Sequence, residues 1–592
     1  MTWSKEGKQG NEAAKISWEI VRWTRGRGLD IGAGLYRTFP HFITVDNNID
    51  AQIFGHQMPR PDVFVSDAGD LSLFANESMD FIFSSHMLEH VEEDRLVKVL
   101  KEWWRVLKND AYLVLYLPDE DQYPKVGEEG ANPDHKWNVS YNAVVKLMEH
   151  VGAWNLRDFQ KRSEADEYSL YFVFQKLDAA KLKKKGQQHL LGYADPKPIK
   201  TVGVCRYGAY GDLLQTASIC WHLKQQGYHV TLYCTPDGQQ VVQHDPNIDD
   251  FYIQDRDQVP NQGLEFFWRE QAKKYDRWIN LSESVEGALL TIRNRIVDSY
   301  PPSVRHALCN RNYLEYMHEI AQVPFEPKVH FYPTELERAW AKKERAKHGD
   351  FCVVYSLSGS SVHKHWPWMD NVISAMLLDF PEIEVVLVGG PDGVILEQGW
   401  EKTPRVTCRS GKWSIRETLA FVQTADVVIG SETGVLNSVS FEEMPKVVFL
   451  SHSTQENLTR DWVNTHSLAS LETHCKGRGK NEAPACHQMH YGWSHCTEAP
   501  APAGTEELYP RKGAGVAQCQ ADIDPENAYK VMWHVIQWQL EKYAQERGLP
   551  PPGVVHLTEE QARAMRAHMP RHLQDPSEVI AQQPTGKSVI EA

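Results

Sequence analysis

Two glycine loops hold the side chains best suited to chemistry, and each is followed by acidic or basic residues at later strand ends. In the first, GLDIGAG, Asp30 precedes Gly32 and Gly34 at the end of a short apolar run. Glycines at such a point let the backbone approach a ligand where a strand gives way to the next element. The run ITVD then ends at Asp46, and a carboxylate at a strand end can accept both hydroxyls of a ribose. Asp67, in VSDAGDL, ends another short strand. The second loop, RYGAYGDLL at Arg206 to Leu214, puts Asp212 at the start of a helix. There a carboxylate can act as a base or cap the helix. This loop is no Walker motif, because no Gly-Lys-Ser/Thr follows, and it lacks the full G-x-G-x-x-G of a dinucleotide site.

The intervening sequence supplies elements to position these groups. After GLDIGAG a short helix is expected from Tyr36 to about Phe39, before the Asp46 strand. SMDFIFSSHMLEHV predicts a strand from Asp80 to Ser84 opening into a helix at His86 to Val91. His86, His90 and His135 are candidate bases, because an imidazole titrates near neutral pH and can take a hydroxyl proton. His135, in the loop-like NPDHKW, is preferred; His90 can equally cap or pack its helix. Around the second loop, residues 201–234 predict strand, glycine loop, amphipathic helix and strand. From Phe351 a second such half begins, with a Gly/Ser turn at Ser358, Gly359, Ser360 and Ser361 and then Lys364. Amides and hydroxyls of that turn can cradle a diphosphate, and Lys364 can neutralise it as it leaves. Farther on, Glu432, Thr433 and Gly434 follow the strand VVIGS.

The first succession resembles the class I S-adenosylmethionine-dependent methyltransferases, with D-x-G-x-G at Asp30, D-x-x-x-L, and, from Asp80, the D-x-I-x-S-x-x-x-L-E-H of the family's F-D-x-I/V-x-S-x-x-x-L-E-H, over about residues 20–175. EWWRVLKNDAYLVLYLPD and NPDHKWNVSYNAVVKLMEHVG resemble that family's later helix, strand and closing helix. The resemblance implies that Asp30, Gly32 and Gly34 line the methionine side of S-adenosylmethionine, that Asp46 binds its ribose and that Asp67 approaches the adenine amino group. Tyr36 stands where the family has a third glycine. No Asn/Asp-Pro-Pro-Tyr run follows the fourth strand, which favours a hydroxyl acceptor over a base amine.

The second succession resembles glycosyltransferase family 9, the ADP-heptose:lipopolysaccharide heptosyltransferases, over about residues 200–540. The matches are R-x-G-A-x-G-D-x-L-x-T at Arg206, G-x-S-x-x-K-x-W-P around Lys364, and the A-D-x-x-V-G-x-D-T-G run that ends at Gly434. That family has a GT-B fold of two Rossmann-like domains with a nucleotide-sugar donor, and its loop aspartate is the proposed general base, here Asp212. Glu432 replaces the family's Asp, and Asn437 its His. No metal is expected.

Together these features imply an α/β chain: a methyltransferase-like domain at 1–175, a linker at 176–200, an acceptor-side domain at 201–345, a donor domain at 346–545 and a largely disordered tail at 546–592. With 63 basic and 79 acidic residues the net charge is −16, which disfavours a broad nucleic-acid surface. Glycan, lipid-linked glycan or protein acceptors are expected instead. No apolar run is long enough for a membrane span or a secretory signal, so a cytoplasmic protein is expected. Cys475, Cys486, Cys496 and Cys519 sit in a Gly/Pro-rich stretch without zinc-knuckle spacing, and thiols and zinc both stay open there. The competing reading is a nucleotide- or sugar-binding protein that has lost its chemistry, or a protein-modifying glycosyltransferase.

Overall fold

The computed structural model describes residues 11–47, 52–53, 56–57, 59–164, 166–178, 200–282, 301, 304, 310–357, 359, 364–451, 453–469, 517–548 and 557–574. They fall into two compact units, Met1–Ile199 with Tyr252–Asp276, and Lys200–Phe251 with Arg277–Ala592. Both are mixed α/β with parallel sheets.

In the first unit the strands are β1 (Gly28–Ile31), β2 (Phe42–Asp46), β3 (Gln52–Ile53), β4 (His56–Gln57), β5 (Val63–Phe64), β6 (Met79–Ser85), β7 (Leu107–Pro118), β8 (Trp154–Arg162) and β9 (Ser169–Lys176). β3 and β4 form a small antiparallel pair, and the others form one sheet in the order β5-β2-β1-β6-β7-β9-β8. The pairings are parallel except that β9 runs antiparallel to both its neighbours. All four residues of β1 are buried, as expected of a central parallel strand covered on both faces. The helix Leu96–Val106 turns Leu96, Val99, Leu100, Trp103 and Trp104 inward at helical spacing. The short helix expected at Tyr36 to Phe39 is absent. Gly32 and Gly34 instead take left-handed backbone, and Arg37 reaches the Phe42 carbonyl at 3.0 Å. The result is a turn closed on the start of β2. Residues 252–276, which the linear division assigned to the 201–345 domain, group here. Their helix Asn261–Ala272 meets the helix Glu12–Ile20, with the Gln271 amide donating to the Trp18 carbonyl at 3.2 Å.

The second unit holds β10 (Thr201–Cys205), β11 (His229–Cys234), the start of β12 (Asp250–Ile253) and β13 (Arg277–Asn280), in a sheet of the order β12-β11-β10-β13. It also holds β14 (Phe351–Ser356), β15 (Ile383–Val388), β16 (Val406–Cys408), β17 (Val427–Ser431), β18 (Lys446–Phe449) and β19 (Thr465–Leu468), ordered β16-β15-β14-β17-β18-β19 and all parallel. The helix Tyr210–Gln225 was expected to be amphipathic, yet every residue from Leu213 to Cys220 is buried. It is covered on more than its sheet face, because the helices Pro236–Val242, Tyr313–Ile320 and Gly434–Ser438 pack against it.

The expectation of a largely disordered tail is corrected for residues 557–574. A helix at Glu559–Arg566, capped by Thr558, leads Met569 and Leu573 into the core beneath β14 and β15. His572 pairs with Asp370 at 3.1 Å, and Thr403 donates to the His568 carbonyl at 2.6 Å. Two buried apolar side chains and these polar ties offset the entropy of ordering a charged segment. No helix among the described residues is long and apolar enough to cross a membrane.

Arg416 clasps several elements of this unit. It bonds both Glu337 oxygens, at 2.6 and 2.7 Å, and the carbonyls of Tyr332 and Gln240. The Arg416 hydrogen bond is the main cause that lowers the Glu337 carboxyl to about 2, from 4.5. A carboxyl lowered on folding adds stability above its unfolded value and loses it as pH falls through the folded one. Glu337→Gln is expected to cost about 2 kcal/mol at neutral pH, with the gap from wild type closing between pH 4.5 and about 2, as read from urea denaturation across pH.

Candidate functional sites

In each sheet the strand order reverses at a central strand, and ligands of open parallel sheets bind outside the carboxyl ends at that reversal. The reversals fall between β1 and β6, between β10 and β13, and between β14 and β17. Of the described groups selected from sequence, Asp30, Gly32, Gly34, His86, Asp212, Gly359, Lys364, Glu432, Thr433 and Gly434 lie on or beside these strand ends, whereas Asp46 and Asp67 follow the neighbouring strands β2 and β5, and His135 and Cys519 lie elsewhere.

At β1 the chain turns through Gly32 (φ 76°) and Gly34 (φ 58°). The Gly34 amide donates to Asp46 at the end of β2, at 3.0 Å, so the glycine turn and the second-strand carboxylate form one unit. Nothing lies within 4 Å of where a Gly34 side chain would begin, whereas at Gly32 it would meet Met87 at 2.3 Å. Asp30 is buried and accepts from the amide and hydroxyl of Thr38, at 3.2 and 3.0 Å. Burial pushes its carboxyl up to about 7 against these bonds. Asp67 is part-exposed; it accepts from the Gly69 amide at 2.9 Å and pairs with Arg95.

Beyond β6, Met87 leads from the glycine turn to a cluster of titratable groups. His86 Nδ1 lies 3.5 Å from Glu89 Oε1, and His135 Nε2 lies 3.9 Å from the same oxygen. The His90 and His135 rings are 5.0 Å apart, and Tyr123 stands 5.3 Å from His135. His86 is fixed by a 2.9 Å bond to Ser169. Burial pushes the Glu89 carboxyl up to about 8 and the His86 imidazole down to about 3, and it also lowers His90 and His135. His135 is therefore a neutral imidazole inside a cluster, where the sequence presented it as a lone loop residue. Glu89 escaped notice, although a carboxylate beside buried Leu88 in an apolar turn was its signal.

In the second unit Arg206, at the end of β10, donates to Asp212 at 2.7 Å and to the Leu281 carbonyl beyond β13 at 3.2 Å. The other Asp212 oxygen accepts from the Ala209 amide at 2.7 Å, so Asp212 does cap the helix Tyr210–Gln225. Burial alone would raise its carboxyl, but Arg206, the Ala209 amide and Lys364 outweigh that and hold it below the usual range. About a third of the side chain (35%) stays exposed, which leaves it accessible to another molecule. Gly208 makes room for it, since a Cβ there would fall 2.4 Å from that of Asp212. Two residues into the same helix, Gly211 abuts Asn437, and Tyr210 abuts Gly434.

Across the β14/β17 reversal the Ser356 and Thr433 hydroxyls are 3.3 Å apart, and Gly359 is enclosed by Lys364 and Thr433. Thus Asp212, Gly359, Lys364, Thr433 and Gly434 gather around the start of one helix. Glu432 is buried and accepts from Ser451 at 2.5 Å. Asn437 accepts from Gln215 at 2.7 Å and donates to the Thr433 carbonyl at 2.9 Å. Arg206 and Gln215 were not selected from sequence, though both stand in the motif containing Asp212. Ser358, Ser360, Ser361, Cys475, Cys486 and Cys496 lie outside the described residues; Cys519 is part-buried in the short helix Gln518–Ala521.

Residues 30–115 match the family model of a methyltransferase domain, so the first unit contains one. Among solved structures, a glycosyl transferase family 9 protein from Veillonella parvula is 17% identical, covering 45% of this chain and 85% of its own, with a TM-score of 0.37. The E. coli ADP-heptose lps heptosyltransferase II is 12% identical, covering 58% of this chain and 99% of its own, with a TM-score of 0.39. A SAM-dependent methyltransferase from Archaeoglobus fulgidus is 19% identical, covering 29% of this chain and 95% of its own, with a TM-score of 0.23. The curated proteins give no match.

The two loop glycines of the first unit differ in what a side chain would meet. Gly34→Ala is expected to cost about 1 kcal/mol, the penalty of left-handed backbone alone. Gly32→Ala adds the collision with Met87 and is expected to cost about 2 kcal/mol more. Equal losses in chemical denaturation would contradict this.

Proposed function

We propose that the chain is a bifunctional transferase. The first unit methylates a hydroxyl from S-adenosylmethionine. The second transfers a sugar, by a metal-independent inverting route, from a nucleoside diphosphate donor of the ADP-heptose kind to a glycan, lipid-linked glycan or protein. The observation that carries this reading is the gathering of the motif residues at the strand-order reversals of their sheets.

For the first unit the residues fit the cofactor. The methyltransferase-domain match supports S-adenosylmethionine, and the open space at Gly34 beside the Asp46 carboxylate supports a ligand resting on that turn. When bound, the cofactor supplies a sulfonium-activated methyl group. Asp46 would hold its ribose and Asp67 the adenine edge, while buried Asp30 keeps the turn in shape through Thr38. The acceptor hydroxyl lies against the histidine cluster, where neutral His135 carries a lone pair able to take its proton.

For the second unit, Asp212 stays ionised at neutral pH and takes the acceptor proton as the sugar's diphosphate leaves. Its low basicity means that proton transfer comes late, once the acceptor oxygen has begun to bond. Lys364, with the Gly359 backbone and Thr433, neutralises the leaving diphosphate. Glu432, tied to Ser451, holds the strand end that carries Thr433 and Gly434 toward the donor.

Calorimetry with S-adenosylmethionine and with a panel of nucleotide sugars tests both halves. Asp46→Ala is expected to weaken cofactor binding about 10- to 100-fold, and Lys364→Ala donor binding by a similar factor, the worth of one charge-assisted contact. Asp212→Asn is expected to slow sugar transfer about 10²- to 10⁴-fold with donor affinity nearly unchanged. Wild-type protein that binds neither ligand would leave the reading of a protein without chemistry in its place.

A further inference from the structure

We propose that Glu89, His90 and His135 form a binding site for a divalent transition-metal ion on the acceptor side of the first unit. The proposal rests on the methyltransferase reading only for what the ion would do there; the site itself stands on its geometry.

One ligand atom from each of the three residues lies within 4.8 Å of the other two. Around an ion bound at about 2.1 Å such atoms stand roughly 3 to 3.5 Å apart, so small side-chain rotations close the set. Two imidazoles and one carboxylate, with no thiolate, suit zinc or ferrous iron and leave further positions open.

Glu89 points independently to a cation. Its side chain is 0% exposed, and neither oxygen accepts a hydrogen bond from another residue among those described. A carboxylate buried without partners is costly, and the cost is relieved by taking up a proton, by hydrogen bonds or by a cation; a cation displacing that proton would leave Glu89 ionised as a ligand. No Lys or Arg is ion-paired with Glu89 among the described residues; the basic groups within 4.0 Å of its oxygens are the rings of His86 and His135, at 3.5 and 3.9 Å.

The surroundings resemble the outer shell of a metal site. The backbone of Asp134 interacts with the His90 ring. The Lys136 amide donates to the Glu89 carbonyl at 2.8 Å, and the Trp137 indole to the Leu88 carbonyl at 3.1 Å. The loop bearing His135 is thereby stitched to the turn bearing Glu89 and His90, which fixes ligand orientation before any ion arrives. His86 is held by Ser169 and stays outside the set.

Such an ion would coordinate the acceptor hydroxyl oxygen and lower its pKa, so that the proton leaves to solvent or to a nearby base before the oxygen attacks. His135 acts as the free base in the metal-free protein and as a ligand when the ion is bound.

The test uses the full chain, stripped with a chelator and titrated with Co²⁺. About one equivalent is expected to give visible d–d bands that Glu89→Gln and His135→Ala each weaken at least about tenfold in affinity. Thiolate-to-cobalt absorption would mark ions held by the cysteines, which the same variants leave unchanged. Calorimetric binding of S-adenosylmethionine by Glu89→Gln reports that the unit is folded. Loss of that binding in wild type as well would sink the methyltransferase reading while leaving the cobalt result intact. Co²⁺ spectra and affinity identical in wild type and both variants, or no thiolate-free d–d bands at all, would overturn the site.

Discussion

Central parallel strands buried on both faces leave a chain few places to present polar chemistry. β1, β14 and β17 are buried along their whole length, and β10 along all but its first residue. A carboxylate or lysine along such a strand would lose its hydration without a partner, so reactive groups collect where the strand ends. The reversal of strand order then decides which end is open, because there the crossovers depart to opposite sides and leave a crevice between them. The glycine turn after β1, Arg206 after β10, and the Gly359 and Thr433 pair after β14 and β17 are three instances of one constraint.

The second unit adds a further requirement: two sheets must contribute to one group of residues. The helix Tyr210–Gln225 meets that demand by being buried almost all round, and its first turn touches the chain after β17 through glycines. Gly211 lies against Asn437, and Gly434 against Tyr210. The replacement of a family histidine by Asn437 looks in the sequence like lost function. In the structure its amide faces Gln215 and the Thr433 carbonyl, so the position serves as a joint between the two halves. A buried amide with both ends satisfied fixes geometry without carrying charge, as suits a joint beside Asp212.

Much of this was legible because the signals are local. A glycine that lets the backbone approach a ligand, an aspartate at a strand end and an alternation of apolar runs with turns are written in a few adjacent residues, and Gly32, Asp46 and Asp212 were selected as candidates from them. What escaped depends on distant partners. Glu89 gains meaning only when His135 folds over it, and Arg206 only when Asp212 and Leu281 come within reach. The helix Tyr210–Gln225 was read as amphipathic because the tertiary contacts that bury its polar side chains come from residues far along the chain. Residues 557–574 looked like a charged tail because just two apolar side chains, Met569 and Leu573, anchor them.

The acidic groups of the two units show how far environment outweighs residue type. Asp30 lies near the end of the central strand β1 and Asp212 follows β10, and each accepts a backbone amide, from Thr38 and Ala209. The second donor to Asp30 is the neutral Thr38 hydroxyl, and burial wins, pushing its carboxyl up to about 7. Asp212 faces a guanidinium and a lysine, and charge wins over burial. A carboxyl raised on folding contributes stability that is lost as pH rises through its folded value, whereas a lowered one loses its contribution as pH falls. Near neutral pH the first glycine turn therefore rests on a group close to its own titration, while the second rests on a permanent ion pair. At Asp30 the charge of Arg37 is a lesser cause and does not offset burial, whereas at Asp212 the guanidinium of Arg206 and the lysine do.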